Sequence, residues 1–588
     1  LTLPTAAFAG VACAGRSCRF HLEDAAPGRV GAALGIAMLF DYRQNIGPDD
    51  FDAHLCIVGA GPAGITLAHQ FLGSDIRICL LEGGGLAGDP EVQALYAGAS
   101  VGQPELDPAR CRLRAFGGST NVWGGGCMPL SRMDLDARDW VPGSGWPIDY
   151  AELHPYYQRA RELLDIRQHE FDDRGFHTPA ARTPLQFDQE RLVNRNFVLS
   201  PVFFGHRYRR ELEQSSNVQL VLNANLLELQ ASPQGDVVQQ ARIGSLDGRR
   251  GLVRARQFVL AAGGIENARL LLLSDSVQRQ GLGNEHGLVG RYFMDHPRGR
   301  LGTLHADSTT RVTRPYDRTG GKGPAPAFPE LCLADAAMRR HGLLSGRVRP
   351  VAVEGEAPPG IRAMRKLRSR IRRSQPDEGQ SLEGQMSASL SLYPEQPQAA
   401  VQEEGVARLA LQMAPGIGDI ARGMFNKITQ QPVVKPDHVD VIGYFEQAPN
   451  PDSRVRLGQD TDALGLRQVN VDWRLTDLDW HTYRTAAGLF GDELARACGG
   501  RFQMDEWLQE NGAAPALQGT AHHMGTTRMS DDPRSGVVDR NGRVHGVENL
   551  HVVGSSVFPT GGWAFPTFTI AALSMRLADH LRDFMFLY

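Results

Sequence analysis

Apolar residues gather in short runs at four places along the chain: His54 to Gly59 (HLCIVG), Ile76 to Leu81 (IRICLL), Phe258 to Gly264 (FVLAAGG) and Asn549 to Gly554 (NLHVVG). Runs of this length, rich in β-branched residues and lacking polar alternation, predict strands of a parallel sheet buried on both faces. Apolar positions at helical spacing follow three of them, over Ile65 to Leu72, Ile265 to Leu273 and Thr567 to Leu581. The predicted sheet therefore draws strands from both ends of the chain and from its middle. The stretch from about residue 311 to 519 is the natural place for a second domain.

The first strand and helix are joined by Gly59-Ala60-Gly61-Pro62-Ala63-Gly64, a G-x-G-x-x-G turn. The three glycines allow a tight turn, close approach of a pyrophosphate to the backbone, and close helix–strand packing, while the helix N-terminus offers free N–H groups to the anion. Glu82 ends the second strand 18 residues past Gly64, where a carboxylate accepts from a ribose 2′-hydroxyl and repels a 2′-phosphate. Strand, turn, helix and acid in this order predict a dinucleotide site. A second glycine-rich segment, Arg112 to Cys127 (RLRAFGGSTNVWGGGC), can lay backbone N–H groups against a flat polar ring such as that of a flavin.

The composition changes this picture little. With 588 residues, 42% hydrophobic and 22% charged, the chain is globular and long enough for more than one domain. A formal net charge of −4 gives no basic field for a nucleic acid backbone, so a small-molecule substrate is expected and no nucleic acid partner. The eight cysteines include no C-x-x-C pair, and no metal-binding spacing is evident. No uninterrupted apolar run of spanning length occurs, so no transmembrane segment is expected. The cytoplasm is the expected compartment, with the periplasm as the alternative. Residues 1–37, which precede Met38, read as an over-extended start or a tail outside the core.

Seven segments occur in an order that resembles the glucose–methanol–choline (GMC) oxidoreductases. They are the Gly59 to Gly64 turn with Glu82, GGSTNVWGG from Gly117, FVLAAGGIENARLLL from Phe258, GLVGRYFMDHP from Gly287, EQAPNPDSRVRL from Glu446, HHMGTTRM from His522, and VVGSSVFPT with AFPTFTIAAL near the C-terminus. WVPGSGW from Trp140 and LHPYY from Leu153 look like the branch of bacterial sugar and polyol dehydrogenases. The resemblance implies an α/β fold: a Rossmann-like FAD-binding domain assembled from residues 38–135, 195–310 and 520–588, with an α+β substrate-binding domain from 136–194 and 311–519. It implies FAD held by Gly59, Gly61, Pro62, Ala63, Gly64, Glu82, Gly117, Gly118, Ser119, Asn121, Val122, Gly124, Gly125, Ala262, Gly263, Gly554, Ser555, Pro566 and Thr567. It further implies transfer of a hydride from a sugar, polyol or related alcohol to flavin, with oxygen, a quinone or a cytochrome partner as final acceptor.

By the register of the family's H-x-x-G-T motif, His522 is the expected base and His523 the competing choice, because neighbours on an extended segment face opposite ways. Two positions depart from the family pattern. Where members carry a second hydrogen-bonding residue, six positions after Pro559, this chain has Phe565, which can neither donate nor accept. Where some members tether FAD through a histidine, it has Val122, so non-covalent FAD is expected. The loss at Phe565 keeps two other readings open, a flavin-bound lyase or other non-redox enzyme of this fold, and oxidation of an apolar alcohol. Ile361 to Arg373 carries seven basic residues and reads as a solvated helix face or docking surface, and Gln380 to Ala400 is linker-like in composition.

Overall fold

The computed structural model describes residues 38–44, 47–104, 106–177, 183–317, 325–373, 382, 413–428, 433–509 and 517–586. The expectations for residues 1–37, and those for 380–400 apart from residue 382, lie outside the described residues.

The apolar runs form the centre of a mixed sheet. Phe51–Val58 lies between Ile78–Leu81 and Arg250–Leu260, parallel to both, and Val218–Leu222 and Leu39–Asp41 extend the parallel part beyond Ile78–Leu81. Leu55, Cys56, Ile57, Cys79, Leu80, Phe258, Val259 and Leu260 are fully buried, which is why these strands show no polar alternation. The long strand Arg250–Leu260 changes partner along its length: its first residues pair antiparallel with Val238–Gly244, and Phe258 to Leu260 pair parallel with Leu550–Val552. That change brings the C-terminal segment of the chain to the middle of the sheet. Helix Pro62–His69, with Pro62 at its first position, packs against the closing helix Pro566–Phe586 and against Phe204–Glu213.

A second sheet is antiparallel throughout. Its strands run in the order Arg501–Met504, Arg298–His305, Pro436–Phe445, Gly346–Glu354, Ala327–Leu333, Leu192–Leu199, Gly175–Phe176 and Phe171–Asp172, with Gly126–Cys127 beside Leu192–Leu199. Helix Asp477–Cys498 covers it with a buried face including Tyr483, Ala486, Ala487, Phe490 and Leu494. Thr476 and Asp479 form a capping box at its start, and Gly499 (φ 68°) ends it in the left-handed conformation that glycine adopts without a Cβ penalty. A small third sheet joins Arg454–Thr461, Arg467–Arg474 and Gly98–Gln103.

The sheet boundaries differ from the sequence-based partition. Gly126–Cys127, most of Leu192–Leu199 and Arg298–His305 fall in the segments assigned to the cofactor domain, yet they pair within the antiparallel sheet. Strand character is legible in a local pattern, whereas the choice of partner strand is a long-range matter.

A buried ion pair ties the loop after helix Arg132–Leu135 to the end of strand Pro436–Phe445. Arg138 donates from Nη1 to Glu446 Oε2 (2.8 Å) and from Nη2 to Oε1 (2.6 Å), with both side chains at most 1% exposed. Ser345 donates to the same carboxylate from its backbone N–H and its hydroxyl, each at 3.0 Å. Burial would raise the Glu446 pKa, but the Arg138 guanidinium and the Ser345 donors hold it below the usual carboxylate range. Glu446→Ala leaves an uncompensated guanidinium in the interior and should cost about 3–5 kcal/mol, whereas Glu354→Ala, which breaks the exposed pair with Arg365, should cost about 1 kcal/mol or less. Thermal and urea unfolding of the two variants side by side would check the contrast.

Candidate active site

A cavity of about 900 Å³ runs from the first glycine turn to the histidine pair, within the usual size range of small-molecule sites. At one end, Gly59 has φ 105°, and a Cβ there would lie 2.7 Å from the Ala261 carbonyl oxygen. A Cβ on Gly61 would meet nothing within 4 Å, so this turn leaves open room where a pyrophosphate is expected. Glu82 is buried at the same end and accepts from the backbone N–H of Ala60 (3.0 Å) and of Gly84 (2.9 Å). Burial raises its pKa, against those N–H groups and the nearby Arg114.

Of the residues singled out in the sequence, Gly59, Gly61, Pro62, Ala63, Glu82, Gly118, Ser119, Val122, Gly124, Ala262, Gly263, Gly554, Ser555, Pro566, Thr567, His522, His523 and Phe565 line this cavity. Gly64, Gly117, Asn121 and Gly125 stand behind the wall and shape it. A Cβ on Gly64 would lie 1.9 Å from the Gly59 carbonyl oxygen, so its absence lets the helix close onto the turn. Gly117 (φ 95°) donates its N–H to Ala60 (2.8 Å), joining the second glycine loop to the first. Asn121 donates to the Phe116 carbonyl (2.7 Å) and accepts from Gly205 (3.3 Å). A Cβ on Gly125 would strike the Ser200 carbonyl oxygen at 2.3 Å.

The wall also carries charged residues to which the sequence motifs assigned no role. Arg112 lies over the Tyr96 ring, 3.9 Å from its centroid, and pairs with the buried Glu266 (3.0 Å). Arg114 donates to Asn225 Oδ1 (2.6 Å), and Glu266 is also met by Arg269 (3.4 Å). Glu266 is thereby held below the usual carboxylate range: burial opposes this, and Arg269, Arg112 and Arg114 outweigh it. Arg112 and Arg114 belong to the RLR stretch just before the glycine loop, so their proximity to the site was readable in the sequence, although their pairing was not.

At the other end, residues Thr520 to His523 form one wall. Asp295 is 1% exposed, and its carboxylate is the hub of that wall. Oδ1 accepts from the backbone N–H of His296 (2.6 Å) and His522 (2.9 Å) and from the Thr520 hydroxyl (2.9 Å). Oδ2 accepts from the N–H groups of Thr520 (3.2 Å) and Ala521 (3.1 Å). Burial alone would raise the Asp295 pKa, but His523, His522 and the His522 N–H hold it below the ordinary value. The carboxylate thus stabilises a turn in which Ala521 takes φ 61°, an uncommon conformation for a residue with a Cβ.

His522 Nδ1 lies 3.0 Å from His296 Nδ1 and 3.1 Å from Thr520 Oγ1, so the nitrogen left to the cavity is Nε2. Burial, followed by the neighbouring His296, lowers the His522 pKa to about 3 against the pull of Asp295, and the ring is neutral at ordinary pH. Its edge meets Phe565 at 5.7 Å between centroids. His523 also borders the cavity. The His523 ring stacks on Phe293 (5.7 Å), its Nε2 is buried without a hydrogen bond among the described residues, and burial lowers its pKa to about 4.

Phe565 stands between Phe197 (5.7 Å) and the Arg347 guanidinium, whose Cζ is 5.0 Å from the ring centroid. Arg347 is 3% exposed and paired with Glu330 at 3.0 Å. Arg298, Arg349, Tyr444 and Thr313 complete this polar side of the cavity.

These residues fit a flavin dinucleotide. Cβ atoms added at Gly61, Gly124 or Gly263 would all project into open space, and the helix beginning at Gly263 points its N-terminus to the cavity. His523 Nε2 is a buried polar atom awaiting a partner there. Among the described residues, no group of three or more His, Cys, Asp or Glu side chains is placed to hold a metal ion, and no helix is long and apolar enough to cross a membrane.

Comparison with known proteins agrees with the geometry. The family model described as GMC oxidoreductase matches residues 449–574, the segment that carries His522, His523 and Phe565. The chain is 24% identical over 596 aligned residues to paromamine 6′-oxidase of Streptomyces fradiae, covering 90% of this chain and 91% of that protein. It is 21% identical to the fructose dehydrogenase large subunit of Gluconobacter japonicus, covering 90% of this chain and 98% of that protein. Among solved structures, formate oxidase shares the fold with a TM-score of 0.53 and 16% identity, over 91% of this chain and 99% of that one. These similarities span both sheets and the cavity between the glycine turn and the histidines, residues 449–574 match the GMC oxidoreductase family model, and together they support an FAD-dependent dehydrogenase or oxidase similar to the GMC oxidoreductases.

Proposed function

We propose that this enzyme oxidises a CH–OH group of a sugar, polyol or related alcohol, with His522 taking the hydroxyl proton. The observation that carries this reading is a neutral imidazole on the cavity wall, with one nitrogen engaged by the protein and the other left to a ligand. Bound FAD supplies the acceptor for the two electrons and the carbon-bound hydrogen that leave the carbinol carbon. The chain's own residues do the rest. His522 removes the proton, and the charge it then gains lies near the ionised Asp295. The cavity wall holds the alcohol beside the glycine loop and shields it from water.

Phe565 removes the second hydrogen-bonding group that the family usually places here, and it supplies instead an aromatic face against which a sugar ring can pack. Arg347, Arg349, Arg298 and Tyr444, which line the cavity on the side of Phe565, give it a polar face that suits a hydroxylated substrate better than a wholly apolar one. The name of the fructose dehydrogenase subunit supports a sugar or polyol. Val122, buried in the glycine loop, has no nucleophile, which supports non-covalent attachment of FAD.

Anaerobic mixing with a panel of sugars and polyols tests the reaction class by bleaching of the flavin band. His522→Ala should slow flavin reduction by about 10²–10⁴-fold, the usual contribution of a general base, with a much smaller loss for His523→Ala. Equal, mild losses would dismiss the assignment. The sign of the His522 shift makes a second prediction. Protonation inactivates the base, and its pKa is lowered from 6.5 to about 3, so the rate of reduction should show no acid limb near pH 6.5 in a stopped-flow pH series. Finally, acid precipitation should release the yellow colour into the supernatant; colour retained in the pellet would contradict non-covalent binding.

A further inference from the structure

The contacts around His522 determine which of its ring nitrogens carries a hydrogen. Two neutral imidazole nitrogens 3.0 Å apart must pair as one N–H donor and one lone-pair acceptor, and this alone leaves two arrangements for His522 and His296. Thr520 decides between them. Its hydroxyl has a single hydrogen and three neighbours: Asp295 Oδ1 at 2.9 Å, the His296 carbonyl oxygen at 3.1 Å and His522 Nδ1 at 3.1 Å. A bond to an ionised carboxylate is roughly twice as strong as one to a neutral acceptor. Any other orientation would set the lone pairs of Oγ1 against those of Oδ1 with no hydrogen between them. Once its hydrogen is committed to Asp295, Oγ1 can only accept; of the two atoms 3.1 Å from it, the His296 carbonyl oxygen has no hydrogen to give and is left unbonded to it, whereas His522 Nδ1 bonds to it as an N–H.

We infer that Asp295, acting through Thr520, together with His296, holds His522 as the Nδ1–H tautomer, so that Nε2 presents a lone pair to the cavity. The Nδ1 hydrogen is shared between Thr520 Oγ1 and His296 Nδ1, and His296 accordingly carries its own hydrogen on Nε2. Asp295, Thr520 and His296 are positioning residues, which act on the substrate only through His522. The same carboxylate that orients the Thr520 hydroxyl also accepts the His522 backbone N–H, so the place of the ring and its tautomer are set by one group. This inference rests on the reading of His522 as the base only for its catalytic consequence; the tautomer itself can be observed directly.

The test uses holoenzyme carrying ¹⁵N-labelled histidine, with the His522 resonances assigned by their absence in His522→Gln. The expected spectrum shows a protonated, pyrrole-type Nδ1 and an unprotonated, pyridine-type Nε2 for His522; the reverse pattern would overturn the inference. Substitutions at 296 give the kinetic arm. His296→Asn places an amide oxygen near the position of the accepting Nδ1 and should keep flavin reduction within a few-fold of wild type. His296→Leu, of similar bulk without an acceptor, should lose about 10²-fold in the rate of reduction with little change in KM. Equal rates in the two variants, at matched thermal midpoints and flavin content, would overturn the positioning role. Failure of the base assignment reads differently: His522→Ala would then reduce as fast as wild type while the Nδ1–H tautomer was still seen in the spectrum.

Discussion

The active end of this enzyme depends on one buried carboxylate. Asp295 sits where an isolated charge would be costly, and it is held there by five hydrogen bonds, from His296, Thr520 (twice), Ala521 and His522. Its own backbone N–H donates to Gln447, which in turn accepts from the buried Trp473 indole at 2.8 Å. The small third sheet, the segment after strand Pro436–Phe445 and the turn at residues 520–522 are thus linked through one chain of polar contacts. Without the carboxylate, three successive N–H groups at residues 520–522 would lack acceptors and the left-handed Ala521 would lose its support.

The rest of the site is built by close backbone approach. A Cβ on Gly118 would come within 3.1 Å of the Gly61 Cα, and a Cβ on Gly264 within 2.2 Å of the His523 carbonyl oxygen. Two glycine loops and a helix N-terminus therefore meet at distances that other residues cannot adopt. The result is a cavity with the glycine turns, Glu82 and Arg114 toward one end and, toward the other, the histidines together with side chains from the antiparallel sheet. The buried pair of Arg138 and Glu446 lies outside the cavity. It holds in place the segment carrying Trp146, whose indole donates to Thr560 (2.9 Å) just before the loop that bears Phe565.

Much of the architecture was legible along the chain because it rests on local rules. Leu55 to Val58 and Phe258 to Leu260 are apolar in succession because both faces of their strands are covered, and Gly59, Gly61 and Glu82 sit at spacings that a strand–turn–helix unit imposes. The nearness of His522 and Phe565 was likewise readable from motif order. Sheet membership at Gly126–Cys127 and Arg298–His305 was not, since a strand's pattern tells that it pairs and not with what.

The sequence by itself determined most of the elements around the first glycine turn and singled out residues that border the cavity, because periodicity and short-range spacing are properties of the chain. Only the tertiary structure decided that Asp295 and His296, more than two hundred positions before His522, would bind its turn and its ring nitrogen. It also decided that Arg347 would stand over Phe565, and that His522 and His523 would border one cavity. Each of these depends on distances between segments remote in sequence and on burial, which removes competing water and makes a hydrogen bond or a charge specific to its partner.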